Sequence, residues 1–406
     1  MIGDLELPLS RREFVLAGAA ALGSFRFARG ALGAVRDLGS STALPPPSRS
    51  GIDHIVVVMM ENRSFDHLLG WLPGADGRQA GLSYVDGTGV SHATHPLAPD
   101  YQGCGHPDPD HSYEGGRVQY NNGACDGFLR SGRNDEYSIG YYTRGDLPFL
   151  GVAARNWTVC DRYFAALMGP TFPNRLYLHA GVTDRVVNTT STSNLPTIWD
   201  RLARRGLRGR NYFRNVPTVL LWGAKYASLT RPYAQFLVDC KRGRLPHVAF
   251  VDPLFTGSDE GTAADDHPHA DIRAGEYFLA QTYRAVTTSP SWPRTVMIIT
   301  FDEWGGFFDH VPPLPAPDVD PAYTLRGFRV PCLIISPFAR RRHVAHGIYD
   351  HTSILRMIEW RWSLPPLSVR DAHANNIATV LDFSHRNLRA PRITVPRVVG
   401  QACPTS

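Results

Sequence analysis

Two stretches of this chain place carboxylates where a buried strand should end. Val296, Met297, Ile298, Ile299 and Phe301 form an apolar run that stops at Asp302-Glu303, with Gly305 and Gly306 after it. Ile55 to Met60 form a second run, which stops at Glu61-Asn62. Such unbroken apolar runs read as strands covered on both faces. Anions emerging from them are costly to bury unless a cation or several donors meet them. Either end alone could be a plain strand-to-loop boundary, but two in one chain make coincidence a poor account. A third candidate is the hydroxyl of Thr171, in Gly169-Pro170-Thr171-Phe172-Pro173-Asn174-Arg175. Two prolines stiffen this turn before Leu176 to His179, which could begin a helix. A hydroxyl held there would lie near backbone N–H groups that favour an anion. Without context, a plain Pro-rich turn fits better.

The elements that must position these groups alternate in type. Strands are expected at Leu245–Val251 and Val330–Ser336, and helices near Leu147–Ala154, Pro196–Arg205, Ala274–Thr287 and Ile354–Trp362. Asp350-His351-Thr352-Ser353 reads as the cap of the last helix. Strands alternating with helices imply an α/β fold with a largely parallel central sheet and helices on both faces. Its ligand crevice would lie at the carboxyl ends of the strands. Residues 72–150 carry little periodicity but many Gly, Asp, Asn and Tyr, and read as an ordered loop-rich insertion bordering the site. It contains Asp108-Pro109-Asp110-His111, then Asn122 and Asp126.

With 406 residues and 43% hydrophobic content the chain can bury a large core. A formal charge of +5 from scattered basic residues makes no case for nucleic acid. Ser10-Arg11-Arg12-Glu13-Phe14-Val15 followed by apolar Val15 to Leu22 matches a twin-arginine export signal. Residues 1–34 are therefore read as the signal and 35–50 as a Pro-rich linker. A single catalytic domain is expected over 51–390, with a tail over 391–406. The product would be periplasmic, wall-associated or secreted. The six cysteines suit an exported protein, and Cys104 with Cys125, in one loop-rich segment, is the first pairing to consider. No Cys/His zinc spacing occurs.

The strings VVVMMENRSFDHLLG, DPDHSYEGGRVQYNNGACDGF, MGPTFPNR, DHPHADIRAGE, FDEWGGFFDHV and YDHTSILRMIEW resemble, in that order, the blocks of a phosphoesterase family. That family joins bacterial phospholipases C outside the zinc-cluster fold with certain acid phosphatases, within the alkaline-phosphatase-like superfamily. The likeness covers roughly residues 51 to 365, and its strength lies in the joint occurrence of the blocks. It implies that Glu61, Asn62, Asp302 and Glu303 bind a divalent metal ion, with Thr171 as the nucleophile that also touches it. His111, His267 and His351 match positions near the phosphate or leaving group. Arg175, Asn122, Asp126 and His269 are candidates for substrate contact. Arg175 equally suits pairing with an acidic neighbour, and His269 and His310 could orient loops. All-oxygen ligands favour calcium, magnesium or manganese over zinc. Thr171 with Asp302-Glu303 looks more like the phospholipase C branch than the acid phosphatases, which tend to carry Ser and Asp-Asp there. The chain ends soon after the last block, short of the β-rich C-terminal domains of the larger phospholipases, so head-group choice stays open. The expected activity is hydrolysis of a phospholipid to diacylglycerol and a phosphorylated head group, with transient contact with a membrane surface. The rivals are a phosphomonoesterase on the same site and a non-catalytic binder of lipid head groups.

Overall fold

In the computed structural model, which describes residues 43–255 and 260–404, the two apolar runs lie side by side. Strand β1 (His54–Met60) pairs in parallel with β6 (Thr295–Phe301), from His54 opposite Thr295 to Met60 opposite Phe301. This register brings Glu61 and Asp302 out at one height. Both strands are almost wholly buried, as their unbroken apolar sequences require.

The remaining strands of the main sheet are β2 (Thr158–Cys160), β3 (Gly209–Phe213), β4 (Thr230–Pro232), β5 (Val248–Asp252), β7 (Cys332–Ile335) and β8 (His343–Ala345). Among the described residues the sheet has 8 strands in the order β8-β2-β7-β6-β1-β5-β3-β4. Pairing is parallel throughout except at β7, which runs antiparallel to both β6 and β2. The mostly parallel α/β expectation holds, with this one reversal. The chain goes from β6 to β7 without a crossover helix, and a strand entered that way returns antiparallel.

Helices flank the sheet. They include α1 (Phe65–Leu69), α2 (Tyr113–Tyr120), α3 (Leu150–Ala153), α4 (Thr171–Ala180), α5 (Ile198–Arg204), α6 (Tyr233–Lys241), α7 (Ile272–Thr287), α8 (His351–Trp362) and α9 (Val369–His373). Helix α4 packs against α8, and α6 against α7. Asp350 is the N-cap of α8, its carboxylate accepting from the Thr352 amide at 2.9 Å, as the capping reading expects. Two arginines, Arg326 and Arg370, hold that carboxylate below the usual range.

Helix α2 lies inside the stretch that shows no periodicity in the sequence. Its segment YEGGRVQY has no apolar stripe, and two glycines argue against a helix. The glycines serve close packing: a Cβ on Gly116 would sit 2.5 Å from Met168 Cγ and 2.9 Å from Trp304. Trp304, directly after the Asp302-Glu303 pair, donates its indole N–H to Gln119 of α2 at 2.6 Å. The insertion is therefore docked onto the end of β6.

The cysteine pairing differs from the first sequence reading. Cys104 bonds to Cys403, across 299 residues of sequence, while Cys125 keeps a free thiol in an apolar cluster with Phe128, Met168 and Trp304. Nearness in sequence misled here because Cys125 faces inward, whereas the tail returns to Gln102, whose amide donates to the Gln401 carbonyl. The export motif lies outside the described residues. No helix among them is long and apolar enough to cross a membrane.

Helix α7 carries a buried carboxyl, Glu276, which accepts from the amides of Phe149 and Leu150 at the start of α3. Burial pushes it up to about 8 from an ordinary 4.5, in spite of those two donors. Between these values the folded protein holds a proton that the unfolded chain has released. The group's stabilisation is thus complete below about pH 4.5 and is lost as pH rises through about 8. Glu276→Gln should flatten the decline in unfolding free energy across that window relative to wild type, measured by denaturant titration at a series of pH values. An unchanged slope would place the group's ionisation elsewhere.

Candidate active site

The ends of β1 and β6 and the start of α4 converge. Glu61 follows β1 directly, and Asp302-Glu303 follow β6. Asp302 and Glu303 are fully buried and Glu61 is 6% exposed. Arg175, one turn into α4, lies between them, with its guanidinium 2.8 Å from Glu61 Oε1 and 3.2 Å from Asp302 Oδ2. Of the two roles open to Arg175 from sequence, the structure shows the acidic pairing.

One guanidinium does not balance three carboxylates. Burial pushes both Glu61 and Glu303 well above the ordinary carboxylate range, and the charge of Asp302 adds to it. Asp302 Oδ1 is satisfied by the amides of Asn62 and Glu303, at 3.2 and 2.7 Å. Glu303 Oε2 accepts from Gly305 N at 2.6 Å, but Glu303 Oε1 and Asn62 Oδ1 are buried without a hydrogen-bond partner among the described residues. Asn62 reaches this position through a left-handed backbone (φ 55°), and Gly305 leaves room for it: a Cβ there would meet the Asn62 carbonyl at 2.1 Å. Uncompensated carboxylates beside orphaned oxygens fit a hard divalent cation, which takes such oxygen donors.

Thr171 occupies the first position of α4, after Pro170 as N-cap, and is 7% exposed. Its hydroxyl lies 3.4 Å from Glu61 Oε2. The rigid turn thus aims a hydroxyl at the carboxylates from a helix N-terminus. It borders a cavity of about 530 Å³ whose lining includes Glu61, Thr171, Arg175, Asp265 and His267.

The candidate histidines separate. His111 donates from Nδ1 to the Pro109 carbonyl at 2.8 Å, which leaves Nε2 to accept from Asn62 Nδ2 at 3.3 Å. His267 uses Nδ1 similarly toward the Pro268 carbonyl, at 3.0 Å, and its Nε2 faces Asp108 at 4.0 Å. The two rings meet edge to face, with centroids 5.9 Å apart. His351 is fully buried and does not line the cavity. Its Nε2 donates to the Asp302 carbonyl at 2.6 Å, and Nδ1 lies 3.1 Å from the Tyr163 hydroxyl. Burial lowers it to about 4, so it is neutral at ordinary pH and braces the end of β6. His269, in a left-handed conformation, contacts the His106 carbonyl at 2.9 Å. Asn122 is exposed in the turn after α2, and the Asp126 carboxylate takes Asn121 and Arg130; neither lines the cavity.

Two acidic residues near the site were not singled out from sequence. The Asp265 carbonyl accepts from Glu61 N at 2.8 Å and its carboxylate from His267 N at 3.1 Å. Asp108 completes a group with His111 and His267 whose ligand atoms lie within 4.8 Å of one another. Asp108 opens a quoted block three residues before His111, and Asp265 stands just outside another, two residues before His267, so a signal was present. His310 is held elsewhere, between Asp66 and Asp76, in a network that Arg329 already fills.

The family model described as "Phosphoesterase family" matches residues 52–365. The chain is 30% identical to phospholipase C B of Mycobacterium tuberculosis, over 98% of this chain and 91% of that one. It is 30% identical to non-specific phospholipase C4 of Arabidopsis thaliana, over 81% of this chain and 72% of that one. Among solved structures it is similar to the phosphonate monoester hydrolase of Agrobacterium radiobacter, at 12% identity and a TM-score of 0.39, over 77% and 74% of the two chains.

Proposed function

The chain belongs to the phosphoesterase family and is a phosphoric ester hydrolase; on that premise we propose that it is a metal-dependent phospholipase C acting through Thr171. The observation that carries this reading is the Thr171 hydroxyl 3.4 Å from Glu61 Oε2, the carboxylate that Arg175 ties to Asp302. Glu61, Asn62, Asp302, Glu303 and Thr171 would hold the divalent cation. When bound, that ion neutralises charge on the phosphoryl oxygens and lowers the pKa of a coordinated hydroxyl. Calcium, magnesium and manganese all suit the oxygen set.

The protein's own groups then divide the work. Thr171 loses its hydroxyl proton to solvent, attacks phosphorus and carries the phosphorylated head group as the alcohol departs, and water later releases the phosphate ester. His267, in the same cavity, donates a proton from Nε2 to the departing alkoxide when it is the imidazolium, since its Nδ1 proton is held by the Pro268 carbonyl, and His111 stands beside it. Arg175 keeps Glu61 and Asp302 apart and fixed, and His351 braces Asp302 from behind. The names of the phospholipase C relatives support a phospholipid as substrate. The Cys104–Cys403 bond supports the export reading, since disulfides persist in oxidising compartments.

Comparing p-nitrophenyl-phosphorylcholine with p-nitrophenyl phosphate tests the substrate class. The diester should be hydrolysed with the higher kcat/KM. A strong preference for the monoester would make the enzyme a phosphatase on the same site.

A further inference from the structure

Asp108, His111 and His267 come from two segments that meet beside the carboxylates. Asp108 and His111 stand shortly before α2, and His267 shortly before α7. In each histidine Nδ1 faces a backbone carbonyl, that of Pro109 at 2.8 Å and that of Pro268 at 3.0 Å. A carbonyl only accepts, so Nδ1 carries the proton of the neutral ring and Nε2 keeps its lone pair. Histidines that bind metals are held in this way, with the far N–H on a carbonyl and the near nitrogen aimed at the ion. One ligand atom from each of the three residues lies within 4.8 Å of the other two, and His267 Nε2 is 4.0 Å from Asp108 Oδ2.

A second observation points to a cation. Glu303 Oε1, fully buried and without a hydrogen-bond partner among the described residues, lies 4.0 Å from His111 Nε2. Access exists as well. Asp108 and His111 line a second cavity, of about 450 Å³, while His267 lines the first. Asp110 also lines the second cavity, but its carboxylate is taken by the Ser112 amide at 3.0 Å and the Ser131 hydroxyl at 2.7 Å. Arg133 lines it too, though as an exposed residue with water to turn to.

The donors differ in kind from those around Glu61. Two imidazoles and one carboxylate suit zinc and its neighbours, whereas calcium and magnesium prefer oxygen. Donors around a tetrahedral zinc stand roughly 3.3 Å apart, given bonds of about 2.0–2.1 Å. Side-chain rotation closes the present gap, and the Asp108 side chain is 36% exposed.

We propose that Asp108, His111 and His267 form a second metal site, selective for a zinc-like transition ion and separate from the oxygen site of Glu61, Asn62, Asp302 and Glu303. Its ion binds His267 through Nε2, the nitrogen that protonates the leaving alcohol. Occupation therefore slows the enzyme. That consequence rests on the proposed role of His267, whereas the site itself does not.

Cobalt is the probe, because its visible bands report its ligands, and zinc is its competitor. With calcium in excess, the full chain should bind one cobalt ion with the strong absorption of imidazole-bound, low-coordinate cobalt, and zinc should displace it. Asp108→Asn and His111→Gln should each weaken binding by about a hundredfold or more, in variants whose circular dichroism and melting temperature match wild type. About tenfold more calcium should leave the midpoint unmoved, whereas an ion at the oxygen site would need about ten times more cobalt. A missing band, unchanged midpoints in both variants, or a midpoint that tracks calcium would overturn the site. Activity reads the consequence separately. Zinc should lower hydrolysis of dihexanoyl phosphatidylcholine by about a hundredfold. It should lower that of p-nitrophenyl-phosphorylcholine far less, because p-nitrophenolate leaves without a proton. If the ion binds as described and both esters are cleaved as before, the metal site stands and the proton-donor role of His267 falls.

Discussion

Thr171→Ala is expected to lower turnover by about a thousandfold or more while leaving the fold intact, because it removes the attacking oxygen and little else. Among the described residues the Thr171 hydroxyl has one hydrogen-bonding neighbour, Glu61, at the long distance of 3.4 Å, so little stability depends on it. Thr171→Ser keeps an oxygen on the same helix turn and should retain measurable activity. Acid quenching during turnover provides an independent readout. Mass spectrometry should find the phosphorylated head group on the peptide containing Thr171 in wild type and none in Thr171→Ala. If Thr171→Ala stays within about tenfold of wild type, Thr171 is not the nucleophile.

Glu303→Gln should act in opposite directions on metal-free and metal-loaded protein. With no cation, Glu303 is a fully buried carboxylate beside Asp302, and one of its oxygens has no partner. Gln removes the cost of burying an ionisable carboxyl next to Asp302 and can still accept from Gly305 N. In chelator, the unfolding free energy should therefore rise by about 1–3 kcal/mol. In divalent metal, affinity should fall by about a hundredfold or more, and activity with it. Thermal unfolding with and without chelator, beside titration calorimetry with calcium, magnesium and manganese, reads both arms. A less stable metal-free variant with unchanged metal affinity would make Glu303 a structural residue.

Both predictions depend on how distant segments meet, and the sequence carried this unevenly. The apolar runs ending at Glu61-Asn62 and Asp302-Glu303 are legible because a strand buried on both faces has a strong local pattern. The stiff turn around Thr171 is legible for the same reason: two prolines and a glycine restrict the chain where they stand. Helix α2 was not legible, since its glycines answer to Trp304 and Met168, which are far away in sequence. The Cys104–Cys403 bond was not legible either, because only the return of the tail brings the two together.

The sequence by itself determined which groups were available: paired carboxylates at two strand ends, a constrained threonine hydroxyl and a set of histidines. Each follows from local preferences that act within a few residues. Tertiary structure decided how they are used. The parallel register of β1 and β6 sets Glu61 and Asp302 side by side, and Arg175 from α4 then falls between them. It also turned His351 inward to hold Asp302 and left His267 in the cavity. The segment from Val216 to Leu221, which Asp252 and Ser193 anchor, joins Glu61 and Thr171 in lining one cavity. Such pairings join residues scores of positions apart, and burial, charge balance and packing select them only once the whole chain has folded.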